Sequence, residues 1–354
     1  MQRISMSPLA TTLSTAIGET RRVTGLCASI CRFALVAVLV HGGTSPWPLP
    51  SAVAFPTSAT PSVSAVQQTV ARPQVLPPMP PLQGVLVVTS DRTLTRDIQG
   101  QIEIAADNVT LDCNGHTIRD VGLAATCGVS GNDSCGIKVQ NHRNVTLQHC
   151  DIAGFDIGIW ISGADTVDVE YATASSNAVG YRVEDSNNVS FVQSMASRND
   201  QEGFVVRDSV NSFFWLNTAV ENGRDGFDEN AGSGSYYLRN DSVYNGVNGF
   251  ELDDGATPTY WENWAFGNGQ HGISLDAVRN AVLYGTETVA NGFDTGDGDG
   301  LRLVDEGAQG TTDCEVTDNY SAGNANNDAH QCGSLCTGNV FTNNWFVGNT
   351  NNIP

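Results

Sequence analysis

The chain has 354 residues, 40% of them hydrophobic, with 37 glycines and a formal net charge of −21. Lys138 is the only lysine beside 16 arginines, so nucleic acid and anionic membrane surfaces, which need a basic face, are excluded as partners. An acidic polysaccharide would need a local basic strip or a bridging cation.

Residues 1–54 read as an export region. Arg21, Arg22 and Arg32 precede an apolar stretch at 33–40, too short to span a bilayer, and Ala52-Val53-Ala54 offers a small-x-small cleavage site. The mature chain should therefore not insert into a membrane, and a secreted, periplasmic or cell-surface location is expected. Residues 55–82 are Pro-rich and read as an extended linker. From residue 83 to 354 the composition changes and a repeat begins.

The motif Gly-aromatic/aliphatic-x-x recurs at Gly136, Gly158, Gly180, Gly203, Gly226, Gly249, Gly272 and Gly300, in steps of 22, 22, 23, 23, 23, 23 and 28. Nineteen residues after six of these glycines stand Asn177, Asn199, Asn222, Asn245, Asn268 and Asn291. Three residues before each asparagine the row is small: Ala174, Ala196, Ala219, Ser242, Ala265 and Thr288. Eleven residues after glycine the row is apolar: Leu147, Val169, Phe191, Phe214, Tyr237, Tyr260 and Leu283. A period near 23 without 3.6-residue periodicity predicts a right-handed parallel β-helix, an all-β solenoid of roughly ten coils. Equivalent residues then stack about 4.8 Å apart, asparagines form a ladder, and the glycines are expected to serve as clash-free turns.

Residues 106–118 (Ala-Asp-Asn-Val-Thr-Leu-Asp-Cys-Asn-Gly-His-Thr-Ile), then Asn144-Val145-Thr146-Leu147, Cys150 and Gly154-Phe155-Asp156-Ile157-Gly158, resemble the opening coils of secreted right-handed β-helix proteins. Those proteins are grouped with the periplasmic NosD-like family and, more widely, the pectin-lyase-like superfamily. The resemblance implies the fold over about 85–350. Its functions range over lyases, epimerases, hydrolases, adhesins and accessory factors.

Seven cysteines follow the export region. Cys127 and Cys135 flank an inserted loop, and Cys113 and Cys150 fall near equivalent positions of successive coils, so both pairs are expected to form disulfides. Cys314, Cys332 and Cys336 leave one disulfide and a spare thiol or, with His330, a zinc site.

The second residue after each glycine should point outward: Lys138, Trp160, Arg182, Val205, Asp228, Glu251, Ser274 and Arg302. Two positions on, the outward row reads Gln140, Ser162, Glu184, Arg207, Asn230, Asp253, Asp276 and Val304. Asp228, Glu251, Asp253 and Asp276 thus form an acidic cluster with Asp225, Asp254 and His271 at its margin. Carboxylates one coil apart repel and raise a pKa, which suits acid–base work on a glycosidic bond or a sugar C5 proton; His271 is the second proton-transfer candidate. A merely solvated acidic face fits the same pattern. Arg182, Arg207, Arg302 and Trp160 are the candidate substrate-binding residues.

Glu229 occupies a position that is apolar in the other coils, an irregularity of the kind found at functional sites. Residues 226–230 stand where mannuronan C5-epimerase-like β-helices carry Asp-Pro-His-Asp; Asp228 alone matches. In the 28-residue step, Asp294, Asp297 and Asp299 among glycines suit calcium, the one cofactor the chain suggests, or a solvated turn. Phe213, Tyr236, Trp215, Trp261 and Tyr284 form a second outward surface on which sugar rings could stack, or against which a loop could pack. A monomer that binds a polysaccharide, and processes it as a lyase or epimerase, is the leading expectation. A non-catalytic surface or adhesion platform and a NosD-like accessory factor are the alternatives.

Overall fold

The computed structural model describes residues 80–122, 126–127, 133–294, 298–306 and 309–353. They lie in the second of two compact units, Gln74–Pro354. The export region and nearly all of the Pro-rich stretch lie outside them.

The chain winds as a right-handed parallel β-solenoid of about 11 turns. Each regular turn gives one strand to each of three sheets, of 13, 11 and 12 strands, parallel throughout except for Gln309–Gly310, which pairs antiparallel with Leu301–Glu306. One turn reads Val179–Glu184 in the first sheet, Asn187–Val192 in the second and Met195–Ser197 in the third. No helix among the described residues is long and apolar enough to cross a membrane.

Register runs without slippage through the regular coils. Tyr181 pairs with Phe204, Phe204 with Phe227, and Phe227 with Phe250. Their rings stack at 4.6, 4.7 and 4.8 Å, near the strand spacing. Phe191, Phe214, Tyr237 and Tyr260 form a second column that meets the first edge-on, as for Phe204 and Phe214 at 5.8 Å and 85°. Each buried ring contributes about 2–3 kcal/mol. Two columns of rings leave room only for small residues from the third sheet, and Ala174, Ala196, Ala219, Ser242 and Ala265 supply them.

The repeated glycines have a different cause from the turn expected. Gly180 lies inside strand Val179–Glu184, outside the left-handed region. A Cβ there would meet the Gly203 carbonyl oxygen at 2.5 Å, Asn199 Nδ2 at 2.9 Å and Ala196 Cβ at 3.1 Å. Close packing of backbone on ladder, not turn freedom, demands glycine. The left-handed residue is instead the one before each ladder asparagine: Ser176, Arg198, Glu221, Tyr244, Gly267 and Ala290.

The asparagine ladder is continuous. Asn199 Nδ2 donates to Asn222 Oδ1 at 2.9 Å, Asn222 to Asn245 at 2.9 Å, Asn245 to Asn268 at 3.0 Å and Asn268 to Asn291 at 2.9 Å. Each Oδ1 also takes a backbone amide from the coil before it, as Asn245 Oδ1 does from Asn222 at 3.1 Å. A second ladder, Asn217–Asn240–Asn263, turns the corner between the second and third sheets. Its signal was present 14 residues after Gly203, Gly226 and Gly249.

Candidate functional site on the first sheet

The two outward rows of the first sheet fall in the expected register. Val205 pairs with Asp228, Asp228 with Glu251, Glu251 with Ser274 and Ser274 with Arg302. The next outward row joins Arg207, Asn230, Asp253, Asp276 and Val304. Asp228, Glu251, Asp253 and Asp276 are therefore brought together on consecutive coils.

A third row, one residue before each glycine, lies beside them: Glu202, Asp225, Asn248, His271 and Asp299, all buried. Asp225 and His271 were expected only at the margin, and Glu202 and Asn248 not at all; their signal was the position before Gly203 and Gly249. Burial pushes the Asp225 carboxyl up to about 7, Asp228 and Glu202 push the same way, and the Asn248 amide and Arg224 oppose them. Glu251 is pushed up to about 8, by burial first and then by Asp225, Asp253 and Asp228, against the pull of Arg302. Near neutrality Glu251 keeps its proton and Asp225 is about half protonated, so the strip carries less negative charge than its composition states.

The arginines differ in their engagements. Arg207 makes a two-pronged pair with Asp228, one arm at 2.8 Å. Arg182 Nε donates to Glu184 at 2.5 Å, and Arg224 pairs with Glu202 at 2.8 Å. Arg302 reaches Ser274 Oγ at 3.4 Å and forms no ion pair among the described residues. It is the cation of this face most available to an anionic ligand.

Trp160 does not present its ring to a ligand. It is 3% exposed, clustered with Ile157, Cys127 and Cys135, and its Nε1 donates to Glu184 at 3.1 Å. The sequence placed it on an outward row correctly; Cys127 and Cys135, joined as a disulfide, pack against it.

Glu229 points inward, in unbroken register between Val206 and Leu252. Ser235 Oγ and Tyr237 Oη donate to its two oxygens at 2.6 and 2.8 Å, and burial raises its pKa. Gly232 makes room for it, since a Cβ there would overlap Glu229 Oε1. The break in the apolar pattern is satisfied inside the core and is not part of the surface site.

Of the three calcium candidates, only Asp294 and Asp299 belong to the described residues. Asp297 lies outside them, and Asp294 is exposed. Asp299 is buried and engaged: Oδ1 accepts from Asn326 Nδ2 (3.1 Å), the Asn327 amide (3.0 Å) and Asn327 Nδ2 (2.7 Å), and Oδ2 lies 3.1 Å from His330 Nδ1. Among the described residues the carboxylates close enough to share an ion are Glu202, Asp225 and Asp228, with ligand atoms within 4.8 Å of one another. Their oxygens suit a hard cation, but Arg224 and Arg207 already neutralise two of the three.

Three disulfides form: Cys113–Cys150, Cys127–Cys135 and Cys332–Cys336, with Cys314 free and buried. The first two pairings match the spacing, and the third removes two thiolates from the zinc alternative. On the second sheet Phe213 pairs with Tyr236, and Trp215, Leu238, Trp261 and Tyr284 follow in line. Trp261 and Tyr284 lie 4.5 Å apart, centroid to centroid, and Trp261 is 43% exposed.

Fold and site together define a right-handed parallel β-helix, with an acidic, partly protonated strip along one sheet. Residues 115–288 match the family model described as right handed beta helix region. Among solved structures, the periplasmic alginate epimerase AlgG is similar with a TM-score of 0.57 and 14% identity, over 74% of this chain and 78% of that one. The Dettilon tailspike protein (gp208) is similar with a TM-score of 0.55 and 14% identity, over 76% of this chain and 61% of the tailspike. At that identity the likeness establishes the fold. No curated protein matches the chain in sequence.

Proposed function

We propose that the outward face of the first sheet binds an extracellular polysaccharide and performs acid–base chemistry on it, of the lyase or C5-epimerase kind. The observation that carries this reading is Glu251: a carboxyl pushed up to about 8, flanked by further carboxyls and within the influence of Arg302. A group that keeps its proton at neutral pH can donate it, and proton donors are what a uronate carboxylate needs while C5 loses its hydrogen. Asp253 and Asp276, one coil apart, are the carboxylates positioned to accept that hydrogen, and Arg302 is the cation that meets the sugar's acid group. Asp228 is held by Arg207 and acts on Glu251 through its charge. Alginate, the polymer named for the similar epimerase, is the first candidate substrate. Three disulfides fit an oxidising compartment outside the cytoplasm.

The test is incubation of the purified protein with alginate and other polyuronates, with and without calcium, following unsaturated-uronate absorbance and C5 inversion by NMR. Turnover lost in Glu251→Gln, with the fold intact, supports the reading. Binding without turnover across the panel moves the protein to a non-catalytic platform, a reading that the exposed Trp261, packed against Tyr284, independently favours.

A further inference from the structure

The coils that carry the acidic strip present a different face on the second sheet. Strands Phe213–Trp215, Tyr236–Leu238, Thr259–Trp261 and Val282–Tyr284 each bury their central residue and turn the two flanking side chains outward. None of these eight outward side chains is charged. On the first sheet of the same coils, in Phe204–Arg207, Phe227–Asn230, Phe250–Asp253 and Ile273–Asp276, the eight outward positions hold four carboxyls and Arg207. A chain with a net charge of −21 thus keeps this patch free of charge.

Every one of the four coils offers a ring there. Phe213 and Trp215 share the first coil; Tyr236, Trp261 and Tyr284 follow on the next three, in register, with about 4.8 Å between coils. Tyr236 and Trp261 are 47% and 43% exposed. The indole is held from one edge, because Glu262 takes a hydrogen bond from the Trp261 side chain and another from Arg239 Nε at 2.7 Å. Arg239, at the margin of the patch, is thereby neutralised, and Arg279 donates to Gln309.

Dimensions and charge select the ligand. Four strands of three residues cover about 19 Å by about 10 Å. That footprint, on the order of 200 Å2, compares with about 800 Å2 for each partner of a stable protein complex. It is too small to hold a folded protein and long enough for roughly three or four sugar residues, each about as long as one coil step. Ring faces meet the CH faces of sugars by dispersion and apolar burial, with no charge involved. A patch whose marginal arginines are engaged gives a uronate nothing to pair with.

We propose that this face of the second sheet is a binding track for an uncharged glycan with flat apolar faces, a β-linked hexose chain, seated along the coils on Trp215, Tyr236, Trp261 and Tyr284. The ligand class differs from the polyuronate assigned to the first sheet, and the proposal does not rest on the acid–base reading.

The test is titration of the full chain with cellohexaose, β-mannohexaose and laminarihexaose, read by tryptophan fluorescence and calorimetry. Saturable binding is expected to at least one of them, unchanged within about twofold between low and high salt, because no ion pair forms. Trp261→Ala should weaken it about tenfold, the loss of one stacked ring, and Trp261→Phe should keep it within about threefold. Silence towards all three hexaoses overturns the proposal, as does affinity unchanged in Trp261→Ala and Tyr236→Ala alike. Affinity that falls steeply with salt, or tryptophan quenching by alginate alone, overturns the uncharged class. A melting temperature lowered by several degrees in Trp261→Ala, with no glycan bound by the unaltered protein, would assign the face to another part of the chain or to a second copy. Alginate turnover is measured separately, so either proposal can fail alone.

Discussion

Two ladders run side by side along this rod and use the same bond for different ends. In the corner ladder from Asn177 to Asn291, every member is asparagine, every side chain is buried, and each amide NH2 reaches the next coil. In the row from Asp225 to Asp299 the acceptor role is kept, but the residue changes at each coil among Asp, Asn and His. Uniformity marks the line that only has to hold coils together, because a stack is best satisfied when each member is both donor and acceptor to its copy. Variety marks the line where the one shared requirement is an acceptor atom for the backbone amide of the next coil.

The comparison can be broken by substitution. Asn245→Ala should be the costliest change, on the order of 4 kcal/mol in a urea titration, because it removes bonds to Ala219, Ser242 and Asn268 and strips Asn222 of its acceptor. A loss under about 1 kcal/mol would mean that the ladder is ornamental. Arg207→Ala should cost about 3 kcal/mol, since it leaves the buried Asp228 carboxylate unpaired. An Arg207→Ala, Asp228→Asn double variant should recover much of that loss, and failure to recover would show that the pair is not what holds the coil.

The pH response sharpens the functional side. Carboxyls raised on folding stabilise the protein least when ionised, so the contribution of these two should be highest below the ordinary carboxylate range. It should then fall as pH rises, through about 7 for Asp225 and about 8 for Glu251. Glu251→Gln should flatten the decline between pH 5 and 9 by about 2 kcal/mol; melting curves that stay parallel to those of the unaltered protein would remove Glu251 as the titrating group. The smallest effect is expected for Asn248→Ala, about 1 kcal/mol for a single amide acceptor. A loss equal to that of Asn245→Ala would erase the distinction between the two ladders.

Much of the site was legible because a solenoid converts sequence period into spatial neighbourhood. Counting two residues from each glycine placed Asp228, Glu251 and Arg302 on one line, and the strand register agrees. Two kinds of reading went astray. Trp160 was placed on an outward row correctly, but no periodic argument shows that Cys127 and Cys135 pack against it. Glu229 was rightly seen as out of pattern, but its partners Ser235 and Tyr237 come from around the corner of the coil, where Tyr237 had been read only as core.

What the sequence by itself determined is the set of rows: a period of 22–23 dictates parallel stacking, stacking dictates like-on-like columns, and the small, aromatic and asparagine rows follow from the space each column has. What only the tertiary structure decided is what each outward side chain meets. Burial that lifts Glu251 and Asp225, the arginine that neutralises Asp228 and the disulfide packed against Trp160 all depend on atoms from other coils. Periodicity fixes position along the rod, but proton occupancy is set by solvation and hydrogen-bond direction, and neither repeats with the period.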